Sequence, residues 1–110
     1  MSLSWNDFEK VELRIGTIIS VEEFPKARKP AYKLKIDFGP LGVLQSSAQI
    51  TELYEPEELL GRQIIAVVNF PPKQIADFMS ECLVTGVVDG SNPVVLIGPD
   101  RKVENGLRIA

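Results

Sequence analysis

Cations carry most of the chemistry open to this sequence. Lys26, Arg28, Lys29, Lys33 and Lys35 crowd residues 26–35 with no acid among them, and Lys73 follows the apolar turn Phe70-Pro71-Pro72. Ammonium and guanidinium groups gathered in this way grip phosphates by charge. They equally engage the backbone carbonyls and acidic side chains of a polypeptide. Tyr32 and Phe70 are candidates for stacking platforms or for core, and their types alone do not decide between the two. An opposite cluster, Glu52, Glu55, Glu57 and Glu58, occupies residues 52–58 with no base. Of these, Glu55, Glu57 and Glu58 could hold a hard cation, but a solvated turn face is the plainer expectation. The chain carries a net charge of −3. That balance argues against an extended phosphate footprint and still permits a focused basic patch.

Acid–base catalysis at neutral pH calls on a group that titrates nearby, and the chain has no histidine. Ser-His-Asp and Cys-His arrangements are therefore impossible. Neither a GxGxxG nor a GxxxxGK[ST] motif is present. The single cysteine, Cys82, lies within an apolar run and reads as a buried, inert thiol. It permits no internal disulfide and no cysteine-built metal site. A binding protein without cofactor, metal or catalytic residues is expected, rather than an enzyme. The N-terminal residues do not follow a signal-peptide pattern, and no apolar run is long enough to span a bilayer. A reducing cytoplasm is the expected setting.

Several short elements must position these groups. At 110 residues the chain is expected to form one domain, 1–110, burying about 65% of its unfolded surface. Residues 4–8 fit a short helix capped by Ser4 or Asn6, with Trp5 and Phe8 on one face. Val11, Leu13 and Ile15 alternate with polar residues, and the alternation slips at Gly16, which predicts a bulge or sharp coil there. Tyr32, Leu34, Ile36 and Phe38 alternate with Lys33, Lys35 and Asp37, so the two lysines share an outward face. A hairpin through residues 39–42 leads to a third strand over 43–47. Helical turns are expected over 48–54, with Ile50, Leu53 and Tyr54 on one side, and over 56–61. Residues 63–70 read as a nearly continuous apolar strand, 73–78 as a loop or one helical turn, and 80–88 and 94–97 as strands. A turn is expected at 89–93. Five main strands without long crossovers point to an all-β fold, a small closed barrel.

Four stretches then acquire a common meaning. They are residues 7–18 (DFEKVELRIGTI), 45–50 (QSSAQI), 54–59 (YEPEEL) and 67–76 (VVNFPPKQIA). In this order the chain resembles the tRNA-binding-domain family over essentially its whole length, and within it the branch of export chaperones. The resemblance implies a five-stranded OB-fold Greek-key barrel with short helices and N-/C-terminal dimerisation extensions. It implies a homodimer whose interface includes Trp5, Phe8, Val94, Leu96, Val103, Leu107 and Ile109. The family's RNA-binding signature maps onto Arg14, Lys33, Ser46, Ser47, Asn69, Lys73 and Ser80. Two positions depart from the pattern: Asp77 stands where glycine is usual, and Cys82-Leu83 where Gly-Met is usual. Both departures tell against tight tRNA binding and are compatible with an unfolded polypeptide. For the export branch the implied partners are unfolded preproteins and the SecA motor, bound without ATP; tRNA or structured RNA is the alternative ligand. The expected peptide surface is an apolar pocket of Phe70, Pro71, Pro72 and Phe78 rimmed by Lys33, Lys35 and Lys73.

Overall fold

The computed structural model describes residues 1–91 and 93–110; Asn92, in the turn expected at 89–93, lies outside the described residues. The long strand β1 (Leu13–Glu23) organises the fold. Its second half pairs antiparallel with β2 (Tyr32–Asp37), and β2 pairs with β3 (Val43–Ala48) across a 3-10 turn at Gly39–Leu41. Its first half pairs with β4 (Gln63–Val67), which also carries the short β7 (Leu83–Val84). The sheet order is therefore β3-β2-β1-β4-β7. A hairpin, β5 (Lys73–Ile75) with β6 (Phe78–Ser80), and a small ladder, β8 (Gly86–Val87) with β9 (Val95–Leu96), complete it. Two short helices, α1 (Trp5–Glu9) and α2 (Pro56–Leu59), lie outside the sheet.

Closure of the barrel rests on a few cross-bonds rather than a ladder. The Glu81 N–H donates to Gln45 O at 2.8 Å, and the Gln45 N–H donates to Glu81 Oε1 at 3.0 Å. The buried Ser46 hydroxyl donates to Cys82 O at 2.9 Å. The result is a nearly closed five-stranded OB-fold barrel. Its core takes the inward face of β2 with Ile18, Ile50, Leu59 and Ile64. Gly16 lets β1 pass beneath that face, since a Cβ there would fall 2.5 Å from Ile36 Cγ2 and 2.6 Å from Phe38 Cε1.

The bulge expected at Gly16 lies farther on: the β1–β2 register shifts between Ile18 and Ser20. Gly16 answers a packing demand, and the bend falls where β1 passes from β4 to β2. Residues 48–54 form no helix, only a turn over 51–53. Tyr54 is claimed by tertiary bonds, its carbonyl accepting from the Tyr32 hydroxyl at 2.8 Å and its own hydroxyl accepting from the Leu96 N–H at 2.9 Å. The segment expected as a loop or helical turn at 73–78 is the β5–β6 hairpin, turned at Ala76 with a φ of 53°. The strand expected over 80–88 breaks into separate pieces, because Glu81 and Cys82 are drawn across to β3.

Candidate binding face

Strand register assembles the outward lysines. Lys33 faces Glu22 on one side and Ser47 on the other. The Ser47 N–H donates to Ser80 Oγ at 3.1 Å, and Ser80 pairs with Lys73 across the hairpin. One transverse row thus reads Glu22, Lys33, Ser47, Ser80, Lys73. A second row runs Ser20, Lys35, Gln45, with Gln45 Nε2 donating to Met79 O at 2.9 Å. The sequence reading missed Glu22, Gln45 and the exposed Met79. The β1–β2 register would have exposed Glu22, but it depends on the bulge after Ile18.

The loop after β1 leans on the hairpin. Phe24 and Phe78 meet edge to face with centroids 5.5 Å apart, and Lys33 Nζ lies 4.8 Å and 5.4 Å from their centroids. At the rim Lys26 Nζ pairs with Asp77 Oδ2 at 2.7 Å. That bond holds the Asp77 carboxyl below its ordinary range, Lys33 contributing more weakly, and holds the Lys26 ammonium above its own. Phe78, expected to line an apolar pocket with lysines at its rim, is buried in this satellite cluster. It lines a cavity of about 230 Å³ with Lys33, Lys35 and Gln45. Phe70, Pro71 and Pro72 are exposed, and Lys73 follows them directly. Tyr32 is core, as its two-residue phase allows.

Three residues of the expected RNA-binding set lie elsewhere. Ser46 is buried, and its hydroxyl is committed to closing the barrel. Arg14 Nε and Nη2 both donate to Glu12 Oε1, at 3.0 Å and 2.6 Å, and Nη1 donates to Gly106 O at 2.9 Å. Asn69 Oδ1 accepts the Glu12 N–H at 3.1 Å while Nδ2 donates to Lys10 O at 2.7 Å. Arg14 thus ties β1 to the C-terminal segment, and Asn69 ties the end of β4 to the N-terminal segment. Arg108 joins them through Glu9 O at 2.6 Å and Glu12 Oε2 at 3.6 Å. The hydrogen bonds from Arg14, followed by the Arg108 charge, keep Glu12 more acidic than an ordinary glutamate. Residues 106–109 run along the edge of β1 left free by β2, with Ile15 N–H donating to Leu107 O and Ile109 N–H to Leu13 O. Burial pushes the Cys82 thiol up to about 12, in keeping with an inert residue.

The expected interface residues divide. Trp5 is 80% exposed, Val103 and Leu107 are exposed, and Phe8 and Ile109 are half-buried. Val94 and Leu96 are half-buried and pack against the barrel core, while Val95 and Ile97 take the outer side. Gly86 allows that phase, since a Cβ there would fall 2.5 Å from Val94 Cγ1. An open cleft of about 1170 Å³ lies between Ile19, Gln63 and the loop 97–105. Of the acidic cluster, Glu58 accepts the Glu55 N–H at 3.0 Å and caps α2. Among the described residues no acidic or cysteine group is arranged to hold a metal, and no helix is long and apolar enough to cross a membrane.

Residues 13–108 match the family model described as "Putative tRNA binding domain". The crystal structure of the chaperone CsaA from Bacillus anthracis strain Ames is 53% identical, covers all of both chains and superposes with a TM-score of 0.94. The CsaA chaperone protein of Picrophilus torridus is also 53% identical, over 99% of this chain and all of its own, with a TM-score of 0.92. A methionine–tRNA ligase of Methanococcoides burtonii is 33% identical over 104 residues, 94% of this chain. The chain spans about 15% of the length of the curated methionine–tRNA ligases it matches.

Proposed function

The chain belongs to the tRNA-binding-domain family of OB-fold proteins, and from that premise we propose that residues 1–110 act as one homodimeric, ATP-independent chaperone domain for unfolded preproteins in the cytoplasm. The observation that carries this reading is the full-length likeness to two proteins named as chaperones, at 53% identity. That likeness accords with a binding module rather than an enzyme. The surface chemistry supports it. Phe70, Pro71, Pro72 and Met79 offer apolar contact, and Lys33, Lys35 and Lys73 offer charge to carbonyls and acidic side chains of a client. Within this reading SecA is a candidate partner, since a preprotein held unfolded must be passed to an export motor.

Two copies would present the face twice, so one extended client spanning both would be held by avidity. The N-terminal helix and the C-terminal segment are the proposed extensions for that pairing, with Trp5, Val103 and Leu107 as apolar contacts and Val95 and Ile97 extending them. A second reading, binding of tRNA or structured RNA, is favoured by the family match and by the row that sets Lys33, Ser47, Ser80 and Lys73 side by side.

Salt separates the two. RNA affinity falls steeply with salt because each neutralised phosphate releases counterions, whereas apolar client contacts are far less sensitive. Labelled tRNA and a denatured preprotein are titrated at two salt concentrations, with aggregation of the preprotein followed by light scattering. The chaperone reading expects delayed aggregation at both. Sub-micromolar tRNA affinity with no delay reverses the order of the two readings. A monomeric mass by sedimentation removes the avidity argument under either.

A further inference from the structure

We infer that Asp77 sets the ligand preference of the binding face, its carboxylate withdrawing Lys26 and damping Lys33 so that polyphosphate strands are turned away while polypeptide is admitted. The inference rests on the chaperone reading above.

The geometry is specific. Asp77 occupies the tip of the β5–β6 hairpin, beside Ala76, whose φ of 53° makes the tight turn. From there its carboxylate reaches Lys26 across fifty-one positions of sequence, at 2.7 Å. Its ionised form is also favoured by Lys33, so it stands within the field of two cations of the face. Lys33 is itself held over Phe24 and Phe78 and opposite Glu22, so it cannot swing far to meet a phosphate while keeping those contacts. A nucleic-acid strand gains from each cation that neutralises one of its phosphates, because the ion condensed on that phosphate is then released. An ammonium already paired with a carboxylate must give up that partner before it can neutralise a phosphate, and the carboxylate repels the phosphates on either side. A polypeptide suffers neither loss. Its uncharged backbone is not repelled by Asp77, and its apolar side chains find Phe70 and Met79 whatever the charge at the rim.

Exposed ion pairs are weak as structural braces. Their effect on the local field is a different quantity, and ligand charge reads it directly. Asp77→Asn keeps the shape of the turn residue and removes the charge.

The test uses full-length protein and a labelled single-stranded RNA of about 12 nucleotides, within the span of one OB fold, with thermal melts to establish that each variant is folded. Asp77→Asn should tighten RNA binding about three- to tenfold near 50 mM salt and steepen the salt dependence by about one neutralised phosphate. Lys26→Met, with Asp77 intact and now unneutralised, should weaken RNA binding. In the double variant Asp77→Asn/Lys26→Met most of the gain should disappear. Delay of preprotein aggregation should stay unchanged in Asp77→Asn. Equal RNA affinity and equal salt slope in wild type and Asp77→Asn, including undetectable binding by both, overturns the inference. So does a gain that survives intact in the double variant. Failure of every variant to delay aggregation strikes the chaperone reading instead, and leaves the RNA comparison to decide the role of Asp77.

Discussion

The two halves of β1 sit in contrasting surroundings. Around Leu13–Thr17 the polar side chains are turned toward the protein itself: Arg14, Glu12, Asn69 and Arg108 bond to one another and to backbone carbonyls at both chain ends. Around Ser20–Glu23 the neighbouring lysines stand in rows on an outward face. Both regions are rich in groups that bind anions, and by residue type alone they are alike. The difference lies in how each cation is held. A guanidinium is a planar fork that reaches several fixed acceptors at once, and Arg14 meets Glu12 and Gly106 in that way. An ammonium is a point charge on a flexible stem, and Lys33 meets ring faces rather than several fixed acceptors. The first region is a clasp and the second a candidate binding face, although the family signature draws residues from both.

The sharpest way to break the comparison is to remove the clasp. Deleting residues 106–110 takes away three backbone hydrogen bonds to β1 and the carbonyl that anchors Arg14. At about 1 kcal/mol per bond, a loss of about 3 kcal/mol is expected in urea unfolding. A change below about 1 kcal/mol means that the tail is an ornament and the contrast is overstated.

A matched pair of substitutions sharpens it. Arg14→Met should lower stability by about 1–2 kcal/mol and leave ligand affinity of the folded protein unaltered. Lys33→Met keeps an apolar stem over Phe24 and Phe78. It should lower stability by less than about 1 kcal/mol, the scale of an exposed cation–π contact, while weakening client or RNA binding severalfold. Loss of binding in a fully folded Arg14→Met would move that residue back into the site.

The smallest expected effect is a dependence on pH. Glu12 ionises more readily in the fold than at its ordinary value of 4.5. Its contribution is therefore complete above that pH and drains away as pH falls through the lower, folded value. Melting temperatures of wild type and Glu12→Gln should differ at pH 7 and converge toward pH 3. A difference that stays constant across that range shows that the carboxylate charge is not what holds the clasp.

Much of this was legible beforehand. Alternation over residues 32–38 placed Tyr32, Leu34, Ile36 and Phe38 inside and the lysines outside. Pro56 and Gly61 bracketed α2. The burial of Cys82 followed from its apolar run. The site was legible in its residue types but not in its partition. Nothing local marks Ser46 as a closing strut and Ser47 as part of a row, or Arg14 as clasp and Lys33 as face. Nor could a short apolar run reveal that Val94 and Leu96 point inward, since a two-residue period fixes the alternation but not its phase.

The sequence by itself determined an all-β domain with a basic loop and no histidine, properties that follow from composition and from short-range periodicity, which act through neighbours a few residues apart. The name of the fold came separately, from the resemblance carried by residues 7–18, 45–50, 54–59 and 67–76. Tertiary structure alone decided which polar groups are consumed. The partners of Arg14, Asn69, Ser46 and Lys26 lie 92, 59, 36 and 51 positions away. A hydrogen bond or ion pair satisfies a group only through a partner within a few ångströms, and chain closure around the barrel, not sequence spacing, brings those partners within reach.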